Sequence, residues 1–339
     1  MKLGLKIKYN LKLIFLKELK KNLTTYYNNM VNAFMEKIAN GMKENGKAES
    51  TTNLYLAKLR KLNGGKDFKS IAFLKKKDVI QEKLDAIENP STRKNTLSSI
   101  MGALKANTNT PNTLINHYDK MMKDAISEAK KYENSDTKTE KQEENWIDWE
   151  DVVKRYEKLN RYVEGVLEED TKQEIMRDKN AREKVARVML LALYVLIPPR
   201  RTLDYFEMFV DDADDNRQKN YYDRETNELV FNNYKTAKYG GQDRIKVPDD
   251  LKSVLERHIE FYDIKKGEKL LRMSMGKPPT SATWIGNNLN ILFGKKISVS
   301  MLRHIYLSGK YGDRLDEMKR DAEMMAHTLS EQKNYIKTD

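Results

Sequence analysis

Apolar side chains recur every three to four residues over most of the chain, the spacing that places them on one face of an α-helix. Four such stretches follow one another between residues 49 and 133. The first ends at Gly64-Gly65 and the second at Asn89-Pro90, pairs that interrupt helices. The pattern predicts a compact all-α unit of four amphipathic helices with basic faces over residues 49–133.

Side chains that accept hydrogen bonds from free N–H groups mark the helix starts. Ser50 or Thr51 stands at the start of the first helix, and Ser91 at the start of the third. We therefore predict these hydroxyls to be N-caps. His117 lies within the fourth helix and is expected to be a packing or surface residue rather than a ligand.

The first 48 residues show helical periodicity but are distinguished by their charge. They carry ten lysines and three glutamates, a net charge of +7. One or two amphipathic helices are predicted for this basic N-terminal segment, residues 1–48. Two interpretations stay open, an arm that contacts DNA and a solvated helical hairpin.

Residues 134–145 contain no apolar side chain, a composition typical of a linker. Helical periodicity then resumes, and residues 146–339 are predicted to form a second, larger domain. Around Gly240-Gly241 the pattern changes to strand, turn and strand, which predicts a β-hairpin. The predicted fold class is therefore mainly α with a small β-sheet or hairpin (α+β).

Charge and composition narrow the range of functions. The 339 residues carry a net charge of +12, which favours a polyanionic partner, nucleic acid first and an anionic membrane surface second. A lysine-rich protein without such a partner is the alternative. The chain has no cysteine, which excludes disulfides, thiolate zinc sites and cysteine nucleophiles, and its four histidines disfavour a histidine-rich metal site.

Neither hydrophobic stretch of note predicts a membrane segment. The apolar run over residues 185–197 is about 13 residues long and is interrupted by Arg187, too short to span a bilayer. The opening residues are broken by lysines every few positions, unlike a signal peptide. We therefore expect an intracellular protein.

Four separated segments carry reactive side chains. "PPRRTLDY" places two arginines directly after a helix, with Asp204 three residues after Arg201 as its expected partner. Because a buried arginine needs an anion, this arginine either pairs with that carboxylate or is held by it to bind a phosphate. The other segments are "NNYKTAKYGG" at the hairpin tip, "VSMLRHIYLSG" and the C-terminal "MMAHTLSEQKNYIK".

In chain order, these segments resemble the catalytic domain of the tyrosine recombinases, the phage-integrase family. That family has an arginine in the pattern TG-x-R-x-x-E, a lysine in a β-hairpin, an H-x-L-R-H segment, a histidine or tryptophan, and a tyrosine nucleophile. The corresponding residues here are Arg201, Lys235, Arg303, His327 and Tyr335. The separations of 102 residues between the arginines and 24 from Arg303 to His327 look typical of the family.

The resemblance covers residues 49–339 and implies a core-binding DNA-binding domain at 49–133 joined by a linker at 134–145 to a catalytic domain at 146–339. The tyrosine would attack the scissile phosphate to form a 3′-phosphotyrosyl intermediate, without metal, ATP or any other cofactor. Two guanidiniums would bind the non-bridging oxygens, a lysine would protonate the leaving 5′-oxygen, and His327 would hydrogen-bond the phosphate. A two-metal site is not needed, and "DDADD" at 211–215 is expected to be a solvated turn.

The sequence departs from the family pattern at three places. Ser300 stands where the family has a histidine, three residues before the second arginine, and its hydroxyl still offers a donor to a phosphate oxygen. Pro198-Pro199 replaces TG, which leaves Arg200 as an alternative to Arg201. The hairpin is several residues longer than is usual in the family, which leaves Lys238 as an alternative to Lys235.

The resemblance implies a site-specific DNA recombinase or integrase of a virus or mobile element, acting wherever its target DNA lies. Its partners would be duplex DNA and further copies of the chain, four of which would assemble on two DNA sites with each protomer closed as a C-shaped clamp. No small-molecule substrate is expected. The alternatives are DNA relaxation of the type IB topoisomerase kind, a catalytically degenerate DNA-binding protein, and an unrelated basic helical protein.

Overall fold

The computed structural model describes residues 33–133, 137–212 and 218–325. By contact density the chain divides into two compact units, Met1–Thr137 and Lys138–Asp339. Each unit has its own hydrophobic core. The described residues are mostly helical with one small mixed sheet, which confirms the α+β fold class at that level.

The described part of the first unit is helical, and the four helices predicted for it are present. Its elements are α1 (33–44), α2 (Glu49–Leu62), a short 3-10 helix (Ile71–Lys75), α3 (Lys77–Asp85), α4 (Pro90–Ala106) and α5 (Asn112–Glu133). α4 and α5 form the most extensive helix pair. At the centre of this core, the fully buried Tyr118 donates its hydroxyl to the carbonyl of Leu74 at 2.7 Å.

Helix α1 belongs to the core of the first unit, although the sequence assigned these residues to a separate N-terminal segment. Met35, Ile38 and Met42, spaced at helical intervals, are all buried in the core that α4 also lines. A Cβ on Gly41 would lie 2.9 Å from the Cβ of Ala106, so the missing side chain permits close approach to the end of α4. Residues 33–44 are therefore part of the first unit, and the remainder of the 1–48 segment lies outside the described residues.

The capping residues differ from those predicted. Asn89, not Ser91, caps α4: its side chain accepts the Thr92 N–H at 2.8 Å, and Pro90 takes the first helical position. A proline there needs no N–H partner and presets the helical φ, so the helix starts before the serine. The Ser91 hydroxyl instead donates to Glu133 at 2.6 Å.

Helix α2 also begins earlier than its predicted caps. Ala48 occupies the N-cap position and supplies no side-chain hydrogen bond, so Ser50 and Thr51 lie within the first turn. Glu49 places a negative charge at the positive end of the helix dipole, which stabilises the start in another way.

The second unit combines helices with the sheet. Its helices are α6 (Glu140–Asn145), α7 (Trp149–Glu169), α8 (Lys172–Arg177), α9 (Lys179–Val195), α10 (Thr202–Phe206), α11 (Ala237–Gly240), α12 (Asp249–Tyr262), α13 (Thr283–Phe293) and α14 (Val299–Met324). Its strands are β1 (Met208–Val210), β2 (Asn220–Asp223), β3 (Glu228–Phe231) and β4 (Asp243–Lys246). The strands lie side by side in chain order, with β1 and β2 parallel and the other pairs antiparallel.

The predicted hairpin is the β3–β4 pair, in register from Glu228 opposite Lys246 to Phe231 opposite Asp243. A helical turn, α11, lies within its connection instead of a tight two-residue turn. Gly241 follows that turn at φ +67°, a conformation that favours glycine. Strands β1 and β2 were not predicted, because they are short and no glycine pair like Gly240-Gly241 marks a turn beside them.

Part of the segment predicted as a linker, Glu140–Asn145, is helical and lies within the second unit. A capping box between Thr139 and Gln142 starts the helix, with both reciprocal hydrogen bonds formed. At its end the buried Asn145 side chain accepts the Lys296 N–H at 2.9 Å. These polar contacts hold α6 without an apolar face, which is why composition alone suggested a linker.

Helix α9 is the centre of the second core. Its run from Met189 to Tyr194 is fully buried, and it packs against α7, α12 and α13. Arg187, two residues before this run, donates to Asn288 at 2.9 Å and pairs with Glu183 at 3.0 Å. Across the described residues, no helix is both long and apolar enough to cross a bilayer.

Candidate functional site

The two arginines after α9 have different surroundings. Arg200 is largely buried; its Nε lies 3.1 Å from Asp204 Oδ2, and its Nη1 lies 2.6 Å from Asp243 Oδ2. Its guanidinium also stacks on Phe231, 3.8 Å from the ring centroid. Burial alone would lower the Arg200 pKa, but the hydrogen bonds that the guanidinium donates to Asp243 and Asp204 outweigh it and the pKa is raised. Arg200 is therefore a fully paired cation.

The partner of Asp204 is Arg200 and not Arg201, contrary to the sequence expectation. Arg201 is the N-cap residue of α10, and its carbonyl accepts the Asp204 N–H at 3.0 Å. In this turn the Asp204 carboxylate pairs with Arg200, four residues earlier in the chain. Arg201 is partly exposed and, within the described part of the chain, its guanidinium has no hydrogen-bond or ion-pair partner.

The buried side chain of Asn220, at the start of β2, joins the turn that carries Arg200 and Arg201 (the arginine turn) to the β3–β4 hairpin. Its Nδ2 donates to the carbonyl of Asp204 at 3.0 Å and to that of Asn233 at 2.9 Å. Its Oδ1 accepts the N–H groups of Asn232 and Asn233 at 2.9 and 2.8 Å. One amide thus holds together the backbone three residues after Arg201 and the backbone two residues before Lys235.

Lys235 is exposed in the connection between β3 and β4. The two ends of this connection are joined by a hydrogen bond, which the Tyr234 hydroxyl donates to the carbonyl of Gly241 at 3.0 Å. The Arg200 guanidinium lies 5.2 Å from the Tyr234 ring centroid, a second link between the arginine turn and this loop. The Lys238 side chain lies outside the described residues, so Lys238 stays an alternative to Lys235.

Arg303 lies in the second turn of α14, and the start of this helix determines its position. The Ser298 hydroxyl accepts the Met301 N–H at 3.1 Å, an N-cap that starts the helix at Val299. Leu302 and Ile305 face the core, which leaves Ser300, Arg303 and His304 on the surface that the core does not cover. Arg303 is partly buried, and among the described residues no carboxylate pairs with it.

The remaining predicted residues, His327 and Tyr335, lie outside the described residues. Among those that are described, Arg201 and Lys235 belong to segments that Asn220 connects directly. No hydrogen bond or ion pair of the described residues connects either segment to Arg303. The structure therefore relates two of the five predicted site residues and leaves the site as a whole a prediction.

Two features of this region escaped the sequence prediction. Asn220 gave no signal, because an asparagine in a polar stretch is typical of a turn. Asp243, at the start of β4, could not be assigned to Arg200 since 43 residues separate them. Only the pairing of β3 with β4 brings Asp243 beside the arginine turn.

The acidic run at 211–215 is described only in part. Asp211, at φ +52°, accepts two hydrogen bonds from the Arg224 guanidinium, at 2.9 and 2.7 Å. Residues 213–217 lie outside the described part. Among the side chains that the structure does describe, no group of three or more His, Cys, Asp or Glu is placed to hold a metal ion.

These contacts describe an arginine turn tied to a lysine-bearing loop, and a separate helix start that carries a second arginine. The chain was compared with models of protein families, with characterised proteins and with solved structures, and none of them matches it.

Proposed function

We propose that the chain is a tyrosine-type site-specific DNA recombinase or integrase. The observation that supports this most directly is the state of three cations. Arg201, Lys235 and Arg303 have no carboxylate partner within the described residues, whereas the neighbouring Arg200 is fully paired. Guanidiniums without a carboxylate remain available to a phosphate.

The chemistry requires an anion-binding site and a nucleophile. The Tyr335 phenol gives its proton to solvent as its oxygen attacks the scissile phosphorus, a P–O bond to tyrosine forms, and the bond from phosphorus to the 5′-oxygen breaks. Lys235 gives its proton to that leaving oxygen. Arg201 and Arg303 bind the non-bridging oxygens and stabilise the charge that grows on them. The phosphotyrosyl ester retains a reactive phosphate linkage, so a 5′-hydroxyl of another strand reverses the step.

The Ser300 hydroxyl takes the place of an imidazole in this scheme. It is exposed in the first turn of α14, one turn before Arg303. A hydroxyl donates a hydrogen bond to a phosphate oxygen but carries no positive charge. We therefore infer a neutral donor at this position, with the charge on the phosphate compensated by the two arginines.

The first unit would supply DNA-backbone contacts, and four protomers would act on two sites. Between residues 33 and 133 the chain has 19 basic and 12 acidic side chains, an excess that favours a polyanion. Lys75, Lys76 and Lys77 lie at the junction of the 3-10 helix and α3, all exposed.

A suicide substrate, nicked just past the cleavage site, tests the proposal. Using DNA from the ends of the host element, the full chain should give a covalent complex that survives denaturation. Tyr335→Phe should abolish the complex, since the nucleophilic oxygen is gone. Tyr132→Phe, which removes a hydroxyl from a partly exposed tyrosine in the first unit, serves as the matched control.

The outcomes separate the proposal from its alternatives. A chain that binds this DNA but forms no covalent complex is a DNA-binding protein without cleavage activity, and the enzyme proposal is then wrong. A complex that persists in Tyr335→Phe assigns the nucleophile to another residue. Relaxation of supercoiled plasmid without recombination between two sites would favour activity of the type IB topoisomerase kind.

A further inference from the structure

A cleft of about 580 Å³ lies where α6, α13 and the start of α14 meet in the second unit. Its lining comes from these three helices and from the loop before α14. The side chains that matter here are basic or neutral donors: Lys141, Lys296, His304, Ser300, Asn287 and Asn290. No aspartate or glutamate is among the lining residues.

The two lysines of the cleft come from separate elements. Lys141 lies in α6, and Lys296 lies in the loop that precedes α14. Both are exposed, and neither ammonium group has a carboxylate partner in the described part of the chain. The Asn145 side chain accepts the Lys296 N–H and so holds the loop that carries Lys296 against α6, which carries Lys141.

The lack of carboxylates distinguishes this cleft from another lysine-bearing cavity among the described residues. Another cavity of the same unit, of about 700 Å³, also has two exposed lysines in its lining, Lys252 and Lys266. Its lining includes five carboxylates, those of Asp211, Asp212, Asp223, Glu225 and Glu256. The lining of the α6–α14 cleft therefore has a net positive charge, whereas the lining of the second cavity has a net negative charge.

We propose that the α6–α14 cleft, defined by Lys141, Lys296, Ser300 and His304, binds the phosphate backbone of duplex DNA. The inference rests on the proposed function, because it extends the path of the DNA from the phosphate at Arg303. Ser300 lines the cleft and lies one helical turn from Arg303, so a strand in the cleft passes this arginine. Lys141 and Lys296 bind phosphates that flank the scissile one and contribute affinity without taking part in the chemistry, whereas Ser300 donates to the scissile phosphate itself.

Binding of a duplex as a function of salt concentration tests this assignment. Each phosphate contact contributes about 0.9 to the slope of log K against log salt. The double variant K141Q/K296Q should therefore lower the magnitude of that slope by about 1.8 and weaken binding roughly tenfold at low salt. The matched control, K252Q/K266Q, removes the same charge from the acidic cavity and should leave the slope within about 0.5.

The outcomes distinguish this inference from the proposed function. Equal slopes for both double variants would overturn the cleft assignment, even where the wild type forms its covalent complex with DNA. A reduced slope only in K141Q/K296Q supports the cleft, even where no covalent complex forms. Equal affinity and slope on a duplex RNA of the same length would show a general polyanion site and would also overturn the assignment to DNA.

Discussion

At the scale of single residues, two adjacent arginines differ in their ion pairs. Arg200 has two carboxylate partners, and Arg201 has none among the described residues. Arg200 links Asp204 to Asp243, and the Asp204 side chain is only 3% exposed. Burying an ionised carboxylate costs free energy of folding unless a cation pairs with it. Because Arg200 satisfies it, the Arg201 guanidinium has no carboxylate partner among the described residues.

Substitution of each arginine separates these roles. Arg200→Gln leaves the Asp204 carboxylate buried and unpaired, and we expect the free energy of unfolding to fall by about 3 kcal/mol. Arg201→Gln breaks no ion pair among the described residues, so the free energy of unfolding should change by less than about 0.5 kcal/mol. Covalent-complex formation should nevertheless fall by about 100-fold or more in Arg201→Gln. Urea denaturation and the suicide substrate measure the two effects, and the reverse pattern would assign the phosphate to Arg200.

A buried histidine makes the stability of the second unit sensitive to acid. His258 is 3% exposed, and its Nε2 lies 3.1 Å from the carbonyl of Leu270. Burial lowers the pKa of His258 to about 3. The unfolded chain therefore takes up a proton near pH 6.5, while the folded chain does not until near pH 3.

Because the folded-state pKa is lowered, the free energy of unfolding falls as the pH falls. The contribution of His258 is fully present above pH 6.5 and is lost as the pH falls towards 3, at up to about 1.4 kcal/mol per pH unit. The free energy of unfolding of the wild type should fall about 3 kcal/mol further than that of His258→Gln between pH 6.5 and 4. Chemical denaturation at a series of pH values measures the difference. Parallel curves for the two proteins would contradict the lowered pKa.

Helix packing sets the position of Arg303 at the scale of the elements. α14 packs against α7, where the Trp149 and Tyr306 rings meet edge to face with centroids 4.9 Å apart. A Cβ at Gly309 would lie 2.6 Å from the Trp149 Cβ, closer than real contacts allow. The absence of a side chain at this glycine therefore fixes how closely the two helices approach.

Two glycines of the same helix give a matched test of that contact. Gly309→Ala should lower the free energy of unfolding by about 1–3 kcal/mol, because the two helices must move apart. Gly312→Ala meets no atom within 4 Å, so its better helix propensity should stabilise the protein by up to about 1 kcal/mol. Thermal and chemical denaturation of both variants measure the contrast. Destabilisation by both substitutions would argue against a specific contact with Trp149.

At the scale of the whole molecule, the two cores have no residue in common. The buried cluster of the first unit runs from Met35 to Ala125 and that of the second from Val152 to Ile305. Each unit therefore buries its own apolar side chains without needing those of the other.

Separate expression tests this independence. A fragment of residues 138–339 should unfold cooperatively and show the near-ultraviolet circular dichroism of fixed aromatic side chains, since its core is complete. A longer fragment that also includes residues 33–137 should show the transition of the first unit in addition. A shorter fragment that unfolds without cooperativity would mean that the second core depends on the first unit.

Much of the helical architecture could be predicted because it depends on local periodicity. The four helices of the first unit and the β3–β4 hairpin appear where their patterns indicated. The predicted caps were wrong where a proline or an acidic residue offered a better start. The linker differed because α6 is held by capping and by Asn145, contacts that composition does not reveal.

Periodicity and composition were enough to predict the helical pattern, the basic charge and the candidate residues Arg201, Lys235 and Arg303. Which arginine is paired could be seen only in the folded chain, because Asp243 reaches Arg200 through the pairing of β3 with β4. It also decided that one buried amide, Asn220, joins the arginine turn to the lysine loop. Periodicity records which face of an element is buried, whereas the partner of a charge depends on contacts between residues that are distant in the chain.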